Sequence, residues 1–91
     1  MIERTAVFRD RYGLHPRSAH RIIQALAGVA ATVTLEDVSS GGSAVDARSM
    51  LGLVSSGIRT GDRVQIRADG PDEAATVEAL ATLFEAGVCH P

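Results

Sequence analysis

The arrangement of hydrophobic and polar residues along the chain predicts several short strands. Residues 2–8 are rich in β-formers, while residues 31–37 and 63–68 alternate between apolar and polar side chains. Alternation of this kind is typical of strands that bury one face. After the turn-forming residues 39–43, a further short strand is expected at residues 44–45. The chain therefore contains four predicted strands.

Three segments have the spacing of helices instead. The first begins at Pro16, ends near Gly28, and places four apolar residues on one face: Ala19, Ile22, Ile23 and Leu26. The second, short helix is expected to open at Asp46 or Ala47 and to end near residues 56–57. The third follows the turn at residues 69–72 and has one apolar stripe: Ala74, Val77, Leu80, Ala81 and Phe84. The order β-α-β-β-α-β-α predicts an α+β fold, with the helices stacked on one face of an antiparallel sheet.

Composition narrows the class of protein. The 91 residues, of which 45 % are hydrophobic and 22 % charged, suit one globular domain spanning residues 1–91. No apolar run reaches the ~18–20 residues that cross a bilayer, and the first residues lack the apolar segment of a signal peptide. We therefore expect no membrane insertion. The single cysteine, Cys89, cannot form an internal disulfide and favours a cytoplasmic protein.

Charge is distributed unevenly. The net charge of −2 argues against a general nucleic-acid-binding protein. All nine basic residues are arginines, and four of them lie in one short stretch around the lone acid Asp10: Arg9, Arg11, Arg17 and Arg21. Such a cluster suits phosphate or an acidic protein partner, although a solvated charged surface is an equally good interpretation of the charges alone.

His15 is the candidate reactive residue. It precedes Pro16, which fits the first position of a helix, so His15 is the predicted N-cap residue. The helix dipole disfavours a cation there and thus favours a neutral, nucleophilic imidazole. The same dipole and the N–H groups of the first turn favour a phosphoryl group, and the Arg17 guanidinium could bind two of its oxygens. An ordinary polar cap remains an alternative for this histidine.

Two segments resemble the HPr family, the histidine-containing phosphocarriers of the bacterial phosphoenolpyruvate:sugar phosphotransferase system. The first, residues 13–19, resembles the family's active-site signature: Gly13-Leu14-His15-Pro16-Arg17-Ser18-Ala19. The second, residues 45–53, is similar to the segment around its regulatory serine: Val45-Asp46-Ala47-Arg48-Ser49-Met50-Leu51-Gly52-Leu53. The resemblance covers nearly the whole chain and implies an open-faced β-sandwich, a four-stranded antiparallel sheet with three helices.

The resemblance also implies roles for individual residues. His15 would be phosphorylated on Nδ1 by enzyme I and discharged by enzyme II A domains in sugar uptake, with Arg17 as the phosphate partner. The family usually has a proline directly after this arginine, whereas this chain has Ser18 there and a proline at position 16. Pro16 lacks an N–H group, so the amides of Arg17 and Ser18, and the Ser18 hydroxyl, are the candidate phosphate-binding groups.

Further residues have predicted roles in regulation and docking. Ser49 aligns with the serine that a dedicated kinase phosphorylates in many relatives, and an unmodified helix-start serine is the alternative. The resemblance supports a hydrophobic docking patch of Met50, Leu51 and Val54, although core packing alone would claim Leu51. His20 is expected on the exposed surface of the first helix, near partners.

The remaining expectations concern other chemistry and other relays. Cys89 and His90 are too weak a pair for a metal site at a chain end, and no glycine-rich phosphate loop or catalytic triad is present, so we expect neither metal nor cofactor. A carrier of this kind is not a stand-alone enzyme, and a monomer suits it. The alternatives are a regulatory module or a carrier in a nitrogen-linked or dihydroxyacetone-phosphorylating relay.

Overall fold

The computed structural model describes residues 1–89, which form four strands and three helices. In chain order these are β1 (Ile2–Val7), α1 (Pro16–Ala25), β2 (Thr32–Asp37), β3 (Val45–Asp46), α2 (Met50–Ser55), β4 (Arg63–Asp69) and α3 (Glu73–Ala86). The predicted order of elements is confirmed, and no strand end is shifted by more than one residue.

The strands form one antiparallel sheet in the order β1-β4-β2-β3. In the central pair, Val33 lies opposite Ala68 and Leu35 opposite Ile66, and all four side chains are buried. The residues of β2 that alternate with Val33 and Leu35, such as Thr32 and Glu36, are exposed or half-buried, as the alternation predicted.

One face of the sheet is covered by the helices and the other is open. The core between the two layers includes Phe8 and Phe84, whose rings meet edge to face with centroids 5.2 Å apart. On the open face, Arg67 of β4 forms ion pairs with Glu3 and Glu36 of the neighbouring strands. The predicted open-faced α+β sandwich is therefore confirmed.

Two carboxylates attach α3 to the rest of the fold. Asp72, the N-cap residue of α3, accepts hydrogen bonds from the backbone N–H groups of Ala30 and Ala31, just before β2. Glu85, near the other end of α3, accepts one from the N–H of Val7. These backbone donors stabilise the ionised carboxylates and lower the pKa of both residues below the usual range.

The start of α2 differs from the prediction. The helix begins at Met50, with Ser49 as its N-cap, rather than at Asp46 or Ala47. Asp46 belongs to β3, and its carboxylate accepts a hydrogen bond from the N–H of Arg48, which makes a tight turn. This turn satisfies backbone groups that a longer helix would use, so the helix begins three or four residues later than predicted.

Candidate functional site

The loop between β1 and α1 is held in place at several points. The N–H groups of Phe8 and Arg9 donate to the carbonyl groups of Asp62 and Phe84 at 2.8 and 3.0 Å, and that of Leu14 donates to Ile58 at 3.0 Å. Gly13 has φ +74°, and a Cβ at this position would lie 3.1 Å from the carbonyl oxygen of Ile58. Glycine is therefore required here, and the loop presents the next residues in one defined orientation.

His15 is the N-cap residue of α1, as predicted. Its backbone is extended, with φ −131° and ψ 176°, and Pro16 occupies the first helical position. The carbonyl of His15 accepts the first helical hydrogen bond, 2.8 Å from the N–H of Ala19. The imidazole is thereby placed at the positive end of the helix dipole, where the N–H groups of the first turn lack helical acceptors.

Ser18 closes this helix end together with His15. The Ser18 Oγ accepts the backbone N–H of His15 at 2.9 Å and donates to the His15 carbonyl at 3.0 Å, and the His15 side chain accepts the backbone N–H of Ser18 in return, so the two residues form a capping box. Ser18 is fully buried. Its hydroxyl and its backbone N–H are both engaged in this cap, so the predicted phosphate contact of Ser18 would require one of these bonds to open.

The structure also places a carboxylate beside His15 that sequence reasoning did not assign. Asp10 is fully buried, and its Oδ2 lies 3.4 Å from the Nε2 of His15. The imidazole itself is partly exposed, with 26 % of its side chain accessible. The one acidic residue within the arginine cluster thus lies beneath the candidate nucleophile, although the sequence indicated only that it was a lone acid among cations.

Arg17 lies at the start of α1, one residue beyond Pro16, with its side chain exposed. No carboxylate of residues 1–89 forms an ion pair with its guanidinium under a 4.0 Å limit. It borders an open cleft of about 310 Å³ together with Arg21, Val88 and Cys89. Two arginines on one cleft next to a helix N-terminus form a surface suited to a dianion.

His20 and Ser49 are the residues with predicted roles in docking and regulation. His20 is exposed on α1, as expected. Ser49 is the half-buried N-cap of α2, and its Oγ accepts the N–H of Gly52 at 3.0 Å. A phosphoryl group on this oxygen would therefore have to replace the cap bond, and a regulatory role for Ser49 stays a prediction.

The exposed face of α2 is apolar. Met50, Leu51 and Val54 are 39 %, 78 % and 39 % exposed, whereas Leu53 is fully buried in the core. The alternative that Leu51 belongs to the core is therefore wrong, because the leucine of α2 that is buried in the core is Leu53. Since α2 packs against α1, the apolar face adjoins the helix that carries the candidate nucleophile.

Neither a metal site nor a membrane span is found in the described part of the chain. Among residues 1–89 no group of three or more His, Cys, Asp or Glu side chains is placed to hold a metal ion. Of the weak pair formed by Cys89 and His90, the histidine lies outside the described residues. In the same residues no helix combines the length and apolar character that a membrane span requires.

Comparison with known proteins identifies the class to which this fold and this site belong. Residues 2–86 match the family model described as the PTS HPr component phosphorylation site. The phosphocarrier protein HPr of Xylella fastidiosa strain 9a5c is 31 % identical over 85 residues, which cover 93 % of this chain and 92 % of that protein. A multiphosphoryl transfer protein of Vibrio cholerae is 27 % identical over 86 residues, which make up only 22 % of its length.

Solved structures agree with these sequence matches. HPr-C-His from Thermoanaerobacter tengcongensis has a TM-score of 0.83 and 30 % identity, with 94 % of this chain and 93 % of that chain covered. HPr from Bacillus anthracis has a TM-score of 0.82 and 28 % identity, with 91 % and 95 % covered. The chain belongs to the HPr family, the phosphocarriers of the phosphotransferase system.

Proposed function

We propose that the chain accepts a phosphoryl group on Nδ1 of His15 from phosphorylated enzyme I and passes it to sugar-specific enzyme II A domains during sugar uptake. It acts as a monomer in the cytoplasm and turns over no substrate of its own. The observation that carries this proposal is the position of His15, at the N-cap of α1 with Arg17 in the first turn. A bound dianion is favoured at this point of a helix.

The choice of Nδ1 is supported by the orientation of the ring. Nε2 is buried and faces Asp10, so a phosphoryl group on Nε2 would have to displace a buried carboxylate. Nδ1 is the remaining ring nitrogen. Attack by Nδ1 forms a P–N bond as the bond from phosphorus to the donor breaks, and the donor keeps that electron pair.

The phosphoryl oxygens would be held by groups of the first turn. Pro16 supplies no N–H and the N–H of Ser18 is directed at the His15 side chain, so the backbone amide of Arg17 is the available donor from the helix. The Arg17 guanidinium adds two directed hydrogen bonds and a positive charge. Because these groups are fixed before transfer, they stabilise the charge that develops on the moving phosphoryl group.

Docking would use the apolar face of α2 and the arginines of α1. Leu51, at 78 % exposed, stands out in a surface that also includes Met50 and Val54. An apolar face on a helix that packs against α1, together with the exposed Arg17 and Arg21 of α1, suits a partner that offers both apolar and acidic groups. Since one small surface serves both donor and acceptors, the carrier must meet them in turn.

Labelling with enzyme I and phosphoenolpyruvate tests the proposed nucleophile. The wild type should gain one acid-labile phosphoryl group, and His15→Ala should gain none. His20→Ala is the matched control, because it removes a second histidine from the same helix and should still gain one acid-labile phosphoryl group. Labelling of His15→Ala to the same level as wild type would overturn the assignment.

A discharge assay tests the proposed acceptors. The phosphorylated protein is mixed in turn with enzyme II A domains for sugars, with the equivalent domain of a nitrogen-linked relay, and with a dihydroxyacetone kinase subunit. Rapid discharge by a sugar-specific domain supports the proposal. Discharge by one of the other two alone would retain His15 as the carrier residue and replace sugar uptake as its function.

A further inference from the structure

Asp10 is a buried carboxylate whose side chain makes no hydrogen bond within the described chain. Neither of its carboxylate oxygens has a hydrogen-bond partner among residues 1–89, and both are inaccessible to solvent. Its backbone carbonyl does have a structural role, since it accepts hydrogen bonds from Thr60 and from Gly13. Burying an ionised group without compensation is unfavourable, so the side chain requires an explanation beyond packing.

The group that faces this carboxylate is the imidazole of His15. The distance of 3.4 Å between Oδ2 and Nε2 exceeds that of a well-formed N–H···O hydrogen bond. Such contacts are often long before a substrate is bound. A carboxylate on one ring nitrogen fixes which nitrogen carries the proton and how the ring is turned.

We propose that Asp10 is a positioning residue, which holds the proton on Nε2 of His15 while Nδ1 carries the phosphoryl group. The inference rests on His15 being the phosphorylated residue. The carboxylate adds a buried negative charge to a site otherwise built from arginines and a helix N-terminus.

The proton on Nε2 stays in place when His15 is phosphorylated and when it is discharged. Neutral Nδ1 donates its electron pair to phosphorus, and the ring becomes positively charged because the proton on Nε2 stays in place. The Asp10 carboxylate compensates that positive charge at short range in a buried setting. On onward transfer the P–N bond breaks, Nδ1 recovers the electron pair, and the ring returns to the neutral form with Nε2 still protonated.

Holding the proton has a consequence for the rate. A positively charged ring is a better leaving group than a neutral one, so a carrier that kept Nε2 protonated would be discharged faster. Loss of the carboxylate should therefore slow discharge to the acceptor by about tenfold or more, the scale on which loss of the carboxylate behind a metal-bound histidine lowers activity. In the Asp10→Asn variant, the neutral amide oxygen could still accept the N–H and orient the ring, while the compensating charge would be missing.

Nuclear magnetic resonance of the nitrogen-15-labelled protein tests the contact without any donor or acceptor. The wild type and Asp10→Asn should each show a His15 proton on Nε2 that exchanges slowly with water, and Asp10→Ala should not. His20 provides the internal reference, because its ring lies on the exposed surface of α1 and its signals should be the same in all three proteins. Urea unfolding of the three proteins checks that each is folded.

Discharge kinetics then separate the possible outcomes. We expect the discharge rate to fall in the order wild type, Asp10→Asn, Asp10→Ala. The difference between wild type and Asp10→Asn measures the effect of the charge, and the difference between Asp10→Asn and Asp10→Ala measures the effect of ring orientation. A slowly exchanging Nε2 proton in Asp10→Ala, or discharge of Asp10→Ala at the wild-type rate, overturns the role of Asp10. Failure of the wild type to be labelled on His15 would instead overturn the proposed function and would leave the proton measurement valid.

Discussion

Two leucines of the short helix α2 should respond differently to substitution by alanine, because they lie in opposite environments. Leu53 is fully buried, whereas Leu51 is 78 % exposed. Leu53→Ala removes most of a buried side chain from the core and leaves a cavity, at a cost of about 2–5 kcal/mol in the free energy of unfolding. With about 4–8 °C of melting temperature per kcal/mol for a domain of this size, a central value of about 3 kcal/mol lowers the melting temperature by roughly 12–24 °C.

Leu51→Ala is the matched substitution on the same helix. Its side chain is already mostly in water, so the free energy of unfolding should change by less than about 0.5 kcal/mol. Urea unfolding followed by circular dichroism measures both variants, and labelling by enzyme I measures docking. We expect Leu51→Ala to raise the carrier concentration needed for half-maximal labelling while its stability stays unchanged.

Two results would contradict this assignment of the two faces. Equal destabilisation by the two substitutions would mean that Leu51 is a core residue and that the exposed apolar face does not exist. Unchanged labelling of a stable Leu51→Ala protein would retain the fold and remove this residue from the docking surface.

Substitutions at three further positions test other parts of the structure. Ser49→Ala should lower the free energy of unfolding by about 1 kcal/mol through loss of the cap to Gly52, and Ser49→Asp should restore most of it, as measured by urea unfolding. Gly13→Ala should slow labelling by enzyme I, because the positive φ and the contact with a neighbouring carbonyl both disfavour a Cβ. Burial raises the pKa of Asp37 above its unfolded value, so the stability linked to its protonated form is present at low pH and lost as pH rises through the folded pKa. Asp37→Asn keeps an oxygen that can accept the N–H groups of the following turn, so it should be more stable than wild type at pH 7, and this gain should disappear below about pH 3.9.

The fold could be predicted because the apolar residues of each long strand or helix repeat with a single spacing. Alternation in residues 63–68 and helical spacing from Pro16 onward each match one secondary structure and one buried face. In α2 that information is missing, since six residues contain too few turns to distinguish one apolar face from another. The sequence therefore indicated that a leucine of this helix is buried and could not determine that it is Leu53.

The candidate site was only partly predictable for a different reason. His15 and Arg17 are close in sequence and lie on one helix end, so local geometry places them together. Asp10 reaches His15 through a loop whose course depends on contacts with Ile58, Thr60 and the strands, which no local pattern encodes. In the sequence, Asp10 differs from its surroundings only as the single acid within an arginine-rich stretch. Its proximity to the imidazole of His15 is shown by the distance to Nε2 in the structure.

The departures from the usual family pattern at positions 16 and 18 can be understood as one arrangement. Pro16 removes an N–H from the helix end that would bind phosphate and presets the backbone of the first turn. Ser18 replaces the usual proline and uses its hydroxyl to bond the backbone N–H of His15, which a proline could not do. The result is a helix start at which the proposed nucleophile has the Ser18 cap at its backbone and Asp10 near its ring. In the proposed phosphorylated form, the helix would offer fewer backbone donors to the phosphoryl group, so a greater share of its binding would fall on the Arg17 guanidinium.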